Sequence, residues 1–525
     1  MKALPLSNVE KAGMLSFVKT IEFKKAKPEA SSGVQTKYVY SCYILVNLLT
    51  IISFCYLLLP VIIFIYGFVR TEISLAITGL VCYACYRFFR DALLPADHKI
   101  KDRDLLQEWH AWRGHLALMS ALALIWLSFS SIGGIGYRNF DSGIRSSLLW
   151  HLVTGSWPLY FRSGYFGSEF GALSDKAYVY YFAYYLPAAV VGKLLGWKAA
   201  NLALFAYSWV GTVLALMLVR TYVQGRGYVV TLMVFMGISL FGGMDYVWNS
   251  LFRFTADRSE MWLSPLHYFS HTRNLFWSPH HCLPTWLIIG IILNRRQINP
   301  LIMRIFPLAV VSMLLWSPLC LIGLLPFLFA MAKHYWKDWL ELSLINTSAC
   351  FICILLAAFI VSNDFSFRMF YAPNVIDRYW IQYSIFVLVE FGIVSSIFVL
   401  SNNKILKHGT VLLLFTLLLI IPIFILGRWN DWCIKLSMPP LFVLSVFMIK
   451  QIIWLVGNNK RGAFFSVLIF GAGALTPIEE LVYSAKNYRI SFETPPEIRD
   501  FGPNYIVWQQ LGDPDKFFFR YLARR

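Results

Sequence analysis

Apolar runs recur along nearly the whole chain, separated by short polar connections. Many approach the ~20 residues that a helix needs to cross a bilayer. The pattern predicts about thirteen candidate spans, at about 43–68, 72–89, 115–135, 199–219, 227–243, 281–294, 301–316, 318–333, 343–361, 380–400, 409–427, 438–456 and 461–476. The pair around "LLWSPLCL" reads as one broken helix or two. The expected fold class is all-α: a polytopic helical membrane protein with a large first outer loop carrying interfacial helices.

The connections set the orientation. With the N-terminus inside, the inner connections are "YRFFRDALLPADHKIKDRDLLQEWHAWRGH", "RTYVQGRG", "NRRQINPLIMR", "KHYWKD", "NNKILKHG" and "GNNKRG", and each carries Lys or Arg. That is the positive-inside bias. The segment "YVYYFAYYLPAAVVGKLLGW", 178–197, is long enough to span, but counting it as a span spoils the bias. Its tyrosine-rich start, Pro187 and Lys193 suit a helix lying in the interface. The expected division is therefore a cytoplasmic N-terminal tail (1–42), N-terminal transmembrane helices (43–133), an outer, periplasmic loop (134–198), a transmembrane bundle (199–476) and an outer C-terminal tail (477–525). The tail mixes aromatic and charged residues at the density of ordered protein, so it is expected to pack on the outer face.

Composition agrees: 58% of residues are hydrophobic and only 14% charged, against about a quarter charged in soluble proteins. The net charge of +18 suggests nucleic acid only until the basic residues are located. They lie in short loops, where they serve topology and contact with anionic lipid. The first 37 residues have no apolar core followed by a small-residue cleavage site, as expected of a retained tail. Nine cysteines form no framework. Cys82 and Cys85 make a CxxC inside an apolar run, and Cys282 and Cys433 are expected to be free thiols near the outer face. No glycosylation sequon falls in an outer segment, which points to a bacterial plasma membrane.

The spans are almost free of charge, with Glu390 the main exception, either paired in the bundle or protonated. Ionisable residues gather in the outer segments instead. A transporter usually places them near the midplane; this pattern suits work on an amphipathic molecule at the membrane surface. In "YRNFDSGIRSSLLWHLVTGSWPLYF", 137–161, Asp141 has a plain reading as a helix N-cap paired i,i+4 with Arg145. A carboxylate at that depth is equally placed to take a proton from an attacking hydroxyl. In "HYFSHTRNLFWSPHHCLPTWL", 267–287, His267 and His271 have zinc-like spacing without the glutamate of HExxH. Arg273, His280 and His281 suit a phosphate group, or simply anchor a helix end. Asp377–Arg378 and Arg428, Asp431 and Lys435 are local ion pairs, or jointly a basic pocket.

This layout resembles the GT-C superfamily of membrane glycosyltransferases, through "YRNFDSGIRSSLLWHLVTGSWPLYF" followed by "YVYYFAYYLPAAVVGKLLGW". It looks closer still to a group of bacterial multi-pass proteins with an Asp-led helix ending in "WP", "YYLPAAxVGK", "SPxHxxPxWL" and a "FFFxYL" end, from about residue 134 onward. The resemblance implies transfer of a sugar from a polyprenyl-phosphate-linked donor to an acceptor hydroxyl, with inversion. Asp141 matches the first-loop acid that acts as base. His280, His281, Arg273, Arg378 and Lys435 are assigned to the donor phosphate by position on the outer face. Arg145, His151, Trp157 and Tyr160 are assigned to the acceptor or sugar. Asp141 is followed by Ser142 rather than a second acid, so a metal-independent reaction without a cofactor is expected. The expected partners are the lipid-linked donor, a glycan or lipid acceptor and membrane lipids, with no nucleic acid. A surface-polysaccharide polymerase, a lipid-linked glycan transporter or flippase, and a non-catalytic subunit are the alternatives.

Overall fold

The computed structural model describes residues 43–93, 102–167, 174–223, 225, 227–252, 258–364, 368–400, 409–503 and 505–524. The expected N-terminal tail and most of the "NNKILKHG" connection lie outside these residues. The helices are α1 (Tyr43–Phe68), α2 (Thr71–Leu93), α3 (Asp102–Leu127), α4 (Phe140–Thr154), α5 (Leu186–Leu195), α6 (Trp197–Tyr222), α7 (Tyr228–Ser239), α8 (Asp245–Phe252) and α9 (His271–Trp277). Then follow α10 (Pro279–Asn294), α11 (Pro300–Met303), α12 (Phe306–Trp316), α13 (Pro318–Leu340), α14 (Leu344–Val361), α15 (Tyr379–Leu400), α16 (Gly409–Ile420), α17 (Asp431–Asn458) and α18 (Lys460–Lys486). Seven of them, α1, α6, α13, α14, α15, α17 and α18, are long and apolar enough to cross a membrane.

The structure departs from the expected elements in places and decides one open alternative. The C-terminal span runs ten residues further, since α18 continues to Lys486. The "LLWSPLCL" stretch is two helices, broken where Ser317 leaves helical geometry and caps α13 by accepting from Cys320 N. Short strands also appear: β1 (Tyr160–Phe161), β2 (Lys176–Tyr178) and β5 (Leu511–Gly512) form one antiparallel sheet in the order β1-β2-β5, and β3 (Met369–Tyr371) pairs with β4 (Phe424–Leu426). Of the 178–197 stretch, only ten residues form α5, about 15 Å of helix.

The polar connections sort into two ends. At one, Arg70 N donates to Leu522 O (2.9 Å), Gly136 N to Arg489 O (3.0 Å) and Asp364 N to Leu511 O (3.0 Å). Asn430 Nδ2 reaches Pro265 O there at 3.0 Å. At the other, Leu45 N donates to Glu108 Oε1 (2.7 Å), Asn299 N to Asn47 Oδ1 (2.8 Å), and Arg304 meets Asp338 (3.7 Å). The first end thus gathers the residue 134–198 loop, the connections after α7, α14 and α16, and the C-terminal tail. These are the segments that the charge pattern assigns to one side.

Close helix contacts set the geometry of that end. Gly323 on α13 faces α17 so tightly that a Cβ would meet Leu436 O at 2.6 Å and Leu436 Cα at 3.0 Å. Backbone cannot yield as a side chain does. Gly323→Ala is expected to cost about 1–3 kcal/mol, read as a lower unfolding temperature in detergent.

Candidate functional site

The turn before α4 is built for close approach. Gly133, at φ +64°, packs against the Asn201 carbonyl of α6, and Ser131 also takes a left-handed φ of 67°. Helix α4 then starts on Asn139, not Asp141. The Asn139 side chain accepts from Ser142 N at 2.8 Å, and Asn139 N donates back to Ser142 Oγ at 3.1 Å. This reciprocal pair satisfies two of the helix's orphan donors. Ser142 Oγ in turn bonds Ser131 Oγ at 2.8 Å, fixing the turn to the helix.

Asp141 is therefore released from capping, and it is released from Arg145 as well. Arg145 turns away and donates to the Trp277 and Phe276 carbonyls, closing the C-terminal end of α9. Among the described residues Asp141 forms no ion pair and no hydrogen bond. It stays partly exposed. Burial raises its carboxyl pKa above the ordinary aspartate value, opposed by the charges of Arg145, Arg273 and Lys435, while Asp431 adds to the rise. An acid in that setting is a stronger base when ionised than a solvated one.

The cations around it come from three helices. Lys435, on α17, pairs with Asp431 at 3.0 Å and stands 5.9 Å from the centre of the Tyr181 ring. Arg273, on α9, is buried between the Phe269 and Trp277 rings, 4.5 and 4.7 Å from their centres. Arg145 lines a small cleft, partly open to solvent, together with Ser142, Ser146, Tyr184, Tyr185 and Pro279. Asp141 is not among the cleft's lining residues.

His280 and His281 begin α10 beside these groups, their ring centres 3.9 Å apart. His281 Nδ1 lies 2.7 Å from Ser317 Oγ, the cap of α13. His280 is only 4% exposed, yet neither ring nitrogen has a hydrogen-bond partner among the described residues. Tyr180, Tyr184 and Tyr185 surround it at 6.0–6.3 Å between ring centres, and the buried Tyr185 hydroxyl is unpartnered too. Buried polar atoms normally find partners. Two orphans beside a helix N-terminus and two cations make a place for an anionic oxygen.

Asp141, Arg145, Arg273, His280, His281 and Lys435 thus come together. Four expected members do not. His151 lies 3.5 Å from the Tyr165 hydroxyl, accepts from Ile498 N at 3.4 Å and holds the C-terminal tail. Trp157 donates to Leu152 O at 2.8 Å and stacks on Phe68. Tyr160 is exposed on β1, edge-on to Phe519. Arg378 is exposed in a left-handed turn at the start of α15. The aromatic loop after α4 folds onto the C-terminal tail and takes His151 and Tyr160 with it, while Trp157 packs on α1 and Arg378 stands at the start of α15. Cys282 and Cys433 are free and buried.

The tyrosines of "YVYYFAYYLP" escaped the sequence reading as site residues. Their density was legible, but it served the interfacial reading equally well. Asn139 also carried a signal, since asparagine caps as well as aspartate does. No family model matches this chain, and no curated protein or solved structure matches it either.

Proposed function

We propose that this protein is a GT-C-like inverting glycosyltransferase of a bacterial inner membrane, moving a sugar from a polyprenyl-phosphate-linked donor to an acceptor hydroxyl at the outer face. In this reading the seven long apolar helices, with α2, α3, α7, α10, α12 and α16, make thirteen crossings, the N-terminus is cytoplasmic, and α4 and α5 lie at the outer interface. The observation that carries it is the Asp141 carboxylate, freed from capping and pairing, beside Arg145, Arg273 and Lys435.

The acceptor hydroxyl gives its proton to Asp141 as its oxygen bonds the anomeric carbon. The bond from that carbon to the phosphate oxygen breaks on the opposite face, and the phosphate leaves as an anion. His280, the Tyr185 hydroxyl and the positive end of α10 supply donors for that charge, with Arg145 and Lys435 supplying the field. The reaction asks no group beyond the chain and its two substrates.

The test is genetic and chemical. The gene is deleted and restored as the native form, His280→Phe or Arg378→Ala, at equal membrane levels, and the surface glycans are analysed by mass spectrometry. His280→Phe keeps ring volume and removes no hydrogen bond made within the protein. The native form and Arg378→Ala are expected to restore a missing sugar, and His280→Phe to fail. An unchanged glycan profile on deletion defeats the transferase reading. Full restoration by His280→Phe removes the anion site from it.

A further inference from the structure

Glu390 does not stand alone inside the bundle. Helix α15 opens into a π-turn at Leu388–Gly392 with Glu390 at its middle, the kind of interruption that often marks a functional position. Asp245, the first residue of α8, faces it. Both are buried, at 3% and 0% exposure, and their carboxyls lie within hydrogen-bonding reach of each other. Trp262 Nε1 donates to Asp245 Oδ1 at 3.0 Å. Asp245 Oδ2 and Glu390 Oε1 receive nothing from any described residue.

The backbone holds the pair together. Met244 N donates to Val389 O at 2.8 Å. At Gly243 a Cβ would meet Asp245 Oδ2 at 2.8 Å and Glu390 Cα at 2.9 Å, so the approach needs glycine there.

The neighbouring acids have cations and these two do not. Glu260 has Arg273 at 3.9 Å, and Glu480 on α18 has Arg258 at 3.1 Å. Among the described residues Asp245 and Glu390 form no ion pair. Arg273 acts on Asp245 only from a distance, Glu260 stands near enough to repel a charge on Glu390 once it is itself ionised, and the Tyr268 phenol is the remaining titratable neighbour. Two carboxylates in contact inside a low-dielectric bundle cannot both stay ionised.

We propose that Asp245 and Glu390 bind one proton between them, and that this shared proton latches α8 to the π-turn of α15. The carboxylic O–H of one donates to a free oxygen of the other, leaving a single negative charge shared by the pair. Loss of the proton sets two carboxylates face to face and drives α8 away from α15. Trp262, bonded to Asp245, and Arg273, beside Glu260, lie on one segment, so the latch governs how one wall of the Asp141 site is held. It operates whatever reaction that site performs.

The test uses the full-length protein in sodium-free detergent solution. An infrared difference spectrum, wild type minus Glu390→Gln at neutral pH, is expected to show a carboxylic-acid C=O band, because the glutamine amide can donate to Asp245 without a proton. Asp245→Asn, the mirror variant, is expected to give the same band and serves if Glu390→Gln does not fold. Hydrogen exchange across residues 244–252 reads the latch. Beyond its intrinsic pH dependence, wild-type protection falls roughly tenfold per pH unit once opening releases one proton, whereas the variant's stays flat. Absence of the band overturns the shared proton, and so does its suppression by added sodium, which would make a metal cation the occupant. Equal pH responses in wild type and variant overturn the latch.

Discussion

Asp141→Asn will remove most of the transfer activity while leaving the unfolding temperature where it was. The rate is expected to fall by about 10²–10⁴, the usual contribution of a positioned general base. Stability is expected to hold because Asp141 has, among the described residues, neither a hydrogen bond nor an ion pair to lose. Asn139→Ala is the counterpart two residues away. It breaks the reciprocal cap with Ser142, so it should cost about 1 kcal/mol in unfolding with a smaller effect on the rate of folded enzyme. Had Asp141 been the cap, these two outcomes would be exchanged. The pH profile adds a second reading. Burial raises the Asp141 pKa, and the base must be ionised to act, so the acid limb of kcat/KM should lie above the ordinary aspartate range of about 4. The limb should be missing from the residual activity of Asp141→Asn. A variant that keeps wild-type rate would return Asp141 to a bystander.

The contrast between Asn139 and Asp141 marks where sequence reading runs out. Both are favoured capping residues, and composition cannot choose between positions two apart. The choice was made by Ser142, whose hydroxyl serves Asn139 and Ser131 together. The long spans were legible because twenty apolar residues have one plain physical use, and the Lys/Arg bias grouped the connections that do meet at one end. The strands were not legible, since pairs of two or three residues carry no period. Arg145 was tied to Asp141 by helical spacing alone, and the empty carbonyls at the end of α9 won it instead. Glu390 was visible as a lone acid in an apolar run. Its partner Asp245 is distant in sequence, on a different helix, so the pair exists only in three dimensions.

Glu260→Gln will flatten the dependence of stability on pH. Glu260 is buried, accepts from Ser270 N at 3.1 Å and from Ser270 Oγ at 2.6 Å, and has Arg273 at 3.9 Å. Burial outweighs those partners and pushes its pKa from an ordinary 4.5 up to about 8. The unfolded chain therefore gives up this proton at lower pH than the folded protein does. Between the two values the folded state binds more protons, so raising the pH lowers stability. The contribution is complete below about 4.5 and is lost as the pH passes through about 8, a fall of about 5 kcal/mol by linkage. Glutamine keeps the side chain's size and cannot ionise. Tryptophan fluorescence, from 19 residues, can follow unfolding temperature from pH 5 to about 9 in detergent. The wild-type temperature should drop across that range and the Glu260→Gln temperature should drop much less. A wild-type temperature that does not fall with pH would mean that the Arg273 charge outweighs burial and that Glu260 is ionised throughout. Arg273 would then be neutralised, leaving Asp141 only Arg145 and Lys435 as its cations.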